Sequence, residues 1–414
     1  MKSKKWQELE KELKKRTDNA DDILSALEEL YSLYSNKLAA WLGSLYDPDI
    51  GGFYYSNSAK ATYGYLPDLE STNQAFSFIE NSGMISSFDQ LPSWMKEKTE
   101  YYIRYLQDPD SGFFYHLQWS RELINAYPSR LARDKDSAHH IAGMLGFELN
   151  TSANAFKKSI VSARDDEDIP PHLVSKDSFR EYLESFDWKV DTYRVTSAMV
   201  SQFGLLQARD LVGTAIAFLD KLQNPKNGLF ESEDSPTVAD SYFTVSMFYL
   251  AAKCPLKYAK RAIPTILKRL DGKENEDATY AHHVWAAVRN IIRALRETED
   301  EQCKRDADEI VTELMKQAPY MIRKTTALIS GYQKSDGSFS YCKNSSAPFS
   351  QGMPVAMIGS NEGDVNATII CSTGITKVIF KALDLYDFYP PILGTDALDV
   401  FLGALKLPRE QQKK

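Results

Sequence analysis

The chain has 414 residues, a formal net charge of −8, 43% hydrophobic residues and 26% charged ones. That make-up suits an ordinary globular fold and not a disordered or collagen-like one. No dense Lys/Arg block follows the first sixteen residues, which argues against nucleic-acid binding.

No stretch offers the roughly 18 uncharged residues that a bilayer span needs. The start, Met1-Lys2-Ser3-Lys4-Lys5-Trp6, has no apolar run behind it and is not expected to act as a secretory signal. Cys254, Cys303, Cys342 and Cys371 are far apart, with no CxxC pair; free thiols in a reducing compartment, and so a cytoplasmic location, are expected.

Taken in order, residues 5–45 carry Leu24, Leu27, Leu30, Tyr31, Tyr34, Leu38, Trp41, Leu42 and Leu45 at three- and four-residue steps, the period of one or two helices. The run ends at Asp47-Pro48-Asp49-Ile50-Gly51-Gly52-Phe53, a turn composition. Pro67-Asp68-Leu69-Glu70-Ser71 then opens an apolar helix that Asn81-Ser82-Gly83 closes. Pro92-Ser93-Trp94 starts an amphipathic helix ending at Gln107-Asp108-Pro109-Asp110-Ser111-Gly112-Phe113, and Asp136 is expected to open a helix from Ile141 to Leu149.

A weaker third pass has the acidic loop Asp165-Asp166-Glu167-Asp168, a helix over 178–186 and a start at Asp191. The fourth has a helix over 208–222, the turn Gln223-Asn224-Pro225-Lys226-Asn227-Gly228, and Asp240-Ser241 as a helix start. The fifth runs through helix 257–270 to Asp277, and the sixth through helix 304–332, Asp336-Gly337 and Asp364 to a last apolar helix, Ile369 to Leu385. A short helix over 395–405 and a charged tail follow.

Gly52, Gly112, Gly228 and Gly337 are 60, 116 and 109 residues apart. With the longer gaps read as double steps, the period is about 54 to 60 residues, the mark of a repeat architecture. The repeats fall near 20–85, 90–150, 175–206, 207–253, 256–297 and 303–388, in one domain over 1–414 with a frayed tail at 406–414. Alternating strand patterns are nearly absent. The expected fold is all-α: six helical hairpins, each with a buried and an amphipathic helix, closed into an (α/α)6 toroid, with an open solenoid as the alternative.

Gln107-Asp108-Pro109-Asp110-Ser111-Gly112-Phe113, Gln223-Asn224-Pro225-Lys226-Asn227-Gly228-Leu229-Phe230 and Gln333-Lys334-Ser335-Asp336-Gly337-Ser338-Phe339, with Asp240-Ser241-Tyr242-Phe243-Thr244, resemble the α/α-toroid superfamily. Its members include terpenoid cyclases, protein prenyltransferase β-subunits and six-hairpin glycan-active enzymes. The resemblance covers about 30 to 390 and implies fold more than function. The Asp-x-Asp-Asp acid motif of class II cyclases is missing from the inner helices, its nearest string being Asp165–Asp168. The cysteine settings of zinc prenyltransferases and lanthionine cyclases are also missing. No metal or other cofactor is expected.

In such a toroid the inner-helix starts converge, and with them Asp68, Glu70, Asp136, Asp191, Asp240, Asp277 and Asp364. Each suits N-capping; two together would suit an acid/base pair flanking a glycosidic bond. Asp68, Glu70, Asp240 and Asp364 are the catalytic candidates, with Glu362 beside the last. Two histidine pairs, His139-His140 and His282-His283, fall in first helical turns, where at most one member of each faces inward; His140 and His283 are assigned to a binding surface with Trp119, Tyr193, Tyr242 and Tyr280, and Trp285 is a further ring in that region. Loops 55–67, 115–135 and 340–363 are long enough to be functional.

These features point to a carbohydrate-active enzyme, hydrolase- or lyase-like, taking a small-molecule or oligosaccharide ligand and neither nucleic acid nor membrane. A non-catalytic binding or protein-interaction toroid is the alternative, and an isoprenoid-handling enzyme a further one.

Overall fold

The computed structural model describes residues 3–125, 128–150, 170–271, 277–350 and 352–406. Helices make up most of them, and strand pairing among the described residues is confined to two short antiparallel hairpins and two isolated bridges. The chain is all-α. The string Asp165–Asp168 and the tail beyond Lys406 lie outside the described residues.

The apolar steps between 5 and 45 form three helices, not one or two: α1 (Lys4–Arg16), α2 (Ala20–Tyr31) and α3 (Lys37–Leu45). After them come α4 (Asn57–Ala61), α5 (Leu69–Asn81), α6 (Ser93–Leu106), α7 (Arg121–Asn125), α8 (Pro128–Leu145), α9 (Lys176–Glu184), α10 (Thr192–Ser201) and α11 (Phe203–Ala208). The second half holds α12 (Val212–Leu222), α13 (Val238–Ala251), α14 (Ala259–Leu267), α15 (Tyr280–Arg296), α16 (Glu301–Ser330), α17 (Val365–Ile369), α18 (Ile375–Ala382) and α19 (Ala397–Ala404).

Two helix types occur, and side-chain pattern explains both. In α13, Val238, Tyr242, Val245, Phe248 and Tyr249 are buried on several faces, as in a helix enclosed all round. In α6, Met95, Thr99, Tyr102, Ile103 and Leu106 form one buried stripe while Tyr101 and Tyr105 face solvent. Helix α5 packs on α8, α10 on α13, α13 on α15 and α15 on α18, while α17 returns to α5. On the flank, α16 packs on α2 and α15, and α19 packs on α3.

The repeated turn has one backbone design. Gly51 N–H bonds Asp47 O, Gly112 N–H bonds Asp108 O, and Gly228 N–H bonds Asn224 O, each at 2.8 Å. At each turn an Asp or Asn side chain also accepts from a backbone N–H two or three residues on, as Asp108 does from Ser111 at 2.9 Å and Asn224 from Lys226 at 2.9 Å, a mimic of a backbone turn. The first glycine of the series is therefore Gly51, with φ +99°, and not Gly52, which pairs in a short strand. Gly337 closes a tighter turn through Lys334 O at 2.9 Å.

These turns also join neighbours. A Cβ on Gly51 would lie 2.2 Å from Lys98 O in α6, one on Gly228 2.7 Å from Ala262 N in α14, and one on Gly337 3.3 Å from Lys37 Cβ in α3.

Several helix starts differ from the expected ones. Helix α8 begins at Pro128 and stops at Leu145, so Asp136 is a mid-helix, exposed residue and opens nothing. Helix α13 begins two residues before Asp240, with Thr237 at its N-cap position; apolar Val238 and Ala239 belong to the helix, and Asp240 is a first-turn residue. Helix α15 starts at Tyr280, and Asp277 instead accepts from Thr279 N–H at 2.7 Å in the turn ahead. Asp191 does sit at the N-cap position of α10, yet its carboxylate is turned to Arg194 at 2.9 Å, with no cap bond. The last apolar segment is broken by a π-helical turn, Ile370–Gly374, between α17 and α18.

Candidate functional site

Asp68 and Asp364 start the adjacent helices α5 and α17, and both cap them. Asp68 Oδ1 accepts from Ser71 N–H at 2.9 Å and its Oδ2 from Ser71 Oγ at 3.0 Å. Asp364 Oδ1 accepts from Ala367 N–H at 2.8 Å. The extended backbone at each N-cap makes this possible. Both carboxyl groups are buried.

Their surroundings set their chemistry. Burial pushes Asp68 up to about 6, opposed by His116, the Ser71 N–H and Arg130. Burial pushes Asp364 up to about 7, opposed by the N–H groups of Ala367, Tyr341 and Asn366, while the Glu362 charge adds to the rise. Desolvation disfavours the ionised form, so the proton is held into the neutral range. Asp364 Oδ2 and Tyr55 Oη are both buried with no hydrogen-bond partner among the described residues. Burial drives the Tyr55 phenol well above its ordinary range, and the charges of Asp68, Glu70 and Asp364 add to this while Arg130 opposes it.

Glu70, two residues into the same capping region, is held differently. Its carboxylate pairs with Arg130 at 2.7 Å and Arg133 at 3.1 Å. Arg130 also pairs with Asp134, and Asp134 Oδ2 lies 2.9 Å from His116 Nε2. Arg130 and Asp134 are buried, with His116 beside them, and the buried charges of Arg130 and Asp134 persist because they are paired. On the α17 side, Asn366 donates to Tyr341 Oη at 2.8 Å and accepts from Gln74 of α5 at 3.0 Å. Glu362 accepts from Ser58 N–H at 3.1 Å, which fastens the loop before Asp364 onto α4.

Asp240 belongs to a second group. Its Oδ1 lies 2.6 Å from His283 Nδ1, and the His283 ring stacks on Phe243 at 4.3 Å. The Asp240 charge also reaches Tyr193 and Tyr280, and the Asp277 charge reaches both Tyr193 and Tyr341. The sequence-chosen acids thus divide into Asp68, Glu70 and Asp364 on one side and Asp240 on the other, with Asp277 between them electrostatically.

Other choices fall elsewhere. Tyr242 is buried and donates its hydroxyl to Gly228 O, and Trp285 is buried with Nε1 bonded to Thr325 at 2.8 Å; both are core residues and not part of a ligand wall. His140 is exposed and sits 2.8 Å from Asn73. Trp119 lies against the loop glycine Gly352, where a Cβ would come within 2.7 Å of its ring. Asp136 and Asp191 join neither group.

Sequence reasoning missed Tyr55, His116, Arg130, Asp134 and Tyr341. The pair Arg130 and Asp134 at i,i+4 was the available signal, since such pairs face each other on a helix; the segment was read as loop. Among the described residues no three His, Cys, Asp or Glu side chains gather as a metal site, and no helix is long and apolar enough to cross a membrane.

No protein-family model, curated protein or solved structure matches the chain.

Proposed function

We propose that the chain is an (α/α)6 toroid and a carbohydrate-active enzyme, hydrolase- or lyase-like, working where α5 and α17 begin. The packing of α5 on α8, of α10, α13, α15 and α18 in series, and of α17 back on α5 supports the ring. The docking of the Gly337 turn on α3 supports closure of the outer layer.

One observation carries the catalytic reading: buried Asp364 keeps its proton up to about 7 and has an Oδ2 with no partner among the described residues. A carboxylic acid protonated near neutral pH is what leaving-group protonation requires. Tyr55 Oη, electrostatically tied to the same acids, is a second unpartnered group for a sugar hydroxyl. The binding-only reading draws its support from Asp68 and Asp277, whose carboxylates are engaged in capping and turn bonds.

The test is a panel of oligosaccharides and isoprenoid diphosphates screened by thermal shift, since a ligand of the native state raises apparent stability. Stabilising sugars are then assayed for bond cleavage. Asp364→Asn retains a carbonyl acceptor for the cap and removes the proton; a fall of about 10²–10⁴ in turnover is expected. Unchanged turnover in Asp364→Asn would remove the catalytic role. Stabilisation by sugars without cleavage would favour binding alone, and stabilisation only by isoprenoid diphosphates would replace the carbohydrate reading.

A further inference from the structure

Helices α13 and α15 pack closely, and their first turns bring Asp240 and His283 together. With Nδ1 2.6 Å from the Asp240 carboxylate, an Nδ1–H donated to that oxygen leaves the lone pair of a neutral ring on Nε2. The parallel stack on Phe243, at 4.3 Å and 8°, fixes the plane of the ring. Nε2 has no hydrogen-bond partner among the described residues, and the side chain is 15% exposed. The ring is therefore held by one edge and one face, and Nε2 is left without a hydrogen bond among the described residues.

Two cations reach the neighbouring rings, Arg269 acting on Tyr280 and Arg133 on Tyr193. His282 is the adjacent ring; burial, with His283 beside it, lowers its proton affinity to about 3, so it stays neutral. The Asp240 charge reaches Tyr280 on α15 and Tyr193 on α10, and the Asp277 charge also reaches Tyr193. Across from His282 is the π-helical turn, where a Cβ on Gly374 would lie 3.4 Å from His282 Cδ2. Such bulges are frequent at functional sites.

We propose that His283 is a general base and Asp240 its positioning residue, acting on water. The proposal rests on the carbohydrate reading for its substrate class. Nε2 takes a proton from water; the electron pair of that O–H bond stays on oxygen and forms the new bond to the glycosidic carbon. The old C–O bond breaks with its pair on the departing oxygen, which takes a proton from solvent. Solvent then removes the proton from the imidazolium.

The first readout needs no sugar. In the full chain, ¹⁵N NMR should show His283 as the Nδ1–H tautomer, and diethyl pyrocarbonate should acylate His283 faster than exposed His139. Asp240→Ala should slow acylation of His283 by about fivefold or more while leaving His139 unchanged. A wild-type His283 in the Nε2–H tautomer, or acylation insensitive to Asp240→Ala in a folded variant, would overturn the dyad; the wild-type spectrum decides the matter even where the variant fails to fold. With a cleaved sugar in hand, His283→Gln should lower kcat by about 100-fold with KM nearly constant and remove the acid limb of the pH profile. A free, Asp240-dependent Nε2 in a protein that cleaves no sugar would leave the dyad standing and remove the carbohydrate reading alone.

Discussion

Asp364 carries its proton to about pH 7 in the folded chain, against a usual carboxyl value of 3.8. Between those values the native state binds more protons than the unfolded state, so its stability falls as pH rises. The contribution is complete below about 3.8 and is lost as pH climbs through about 7. Asp364→Asn cannot ionise, and its stability relative to wild type should therefore improve from pH 4 to 8, by an amount of the order of a few kcal/mol. Denaturant titrations of both proteins across that range would measure it; parallel curves would show that Asp364 ionises normally. At this scale the sequence was informative where a carboxylate followed a Pro or Gly at a helix start, as in Pro67-Asp68 and Gly363-Asp364. It was silent on Tyr55, whose role comes from burial among acids on other elements.

The joint between α5 and α8 is made by charge. Arg130 is buried between Glu70 and Asp134, whereas Arg133, which also reaches Glu70, is 47% exposed. Arg130→Ala leaves two buried carboxylates without their cation and should cost about 3–5 kcal/mol. Arg133→Ala removes a solvent-screened partner and should cost about 1 kcal/mol or less. Equal losses in denaturant midpoints would mean that the buried network does not hold the two helices.

The glycine turns give a second comparison. Gly228 has φ +78° with α14 against it, while Gly64 has φ +87° and open space around it. Gly64→Ala pays only the left-handed backbone strain, about 1 kcal/mol, and Gly228→Ala should cost clearly more because α14 must move. If thermal melts show the same loss for both, the turn does not set the position of α14. Elements were legible where periodicity and a turn coincided, as in α6 and its Gln107–Phe113 exit. The start of α8 was not, because Pro128-Ser129-Arg130-Leu131 lies within a polar stretch whose helical face is an ion network and not an apolar stripe. The π-helical turn left no periodic trace, as it adds a residue inside an apolar run.

Across the whole molecule, helices far apart in sequence support each other. Helix α19 lies on α3, with a Cβ on Gly43 only 2.6 Å from Phe401 O, and Arg16 donates to Asp384 O at 2.9 Å. Phe401 is fully buried, and Phe401→Ala should cost about 3–5 kcal/mol. The loss should appear equally in tryptophan fluorescence and in helical circular dichroism, as a single cooperative transition requires. Separated transitions would show that groups of helices melt independently. The all-α class was legible from the repeat spacing and the lack of strand patterns; which helices meet across long distances was not, because that depends on packing that no local pattern encodes.

The turn at Gly337 rests on α3, just as the turn at Gly51 rests on α6 and the turn at Gly228 on α14. The seat of the Gly337 turn is thus a helix from the other end of the described chain, so loss of α3 would uncover that turn while the seats of the Gly51 and Gly228 turns stay in place.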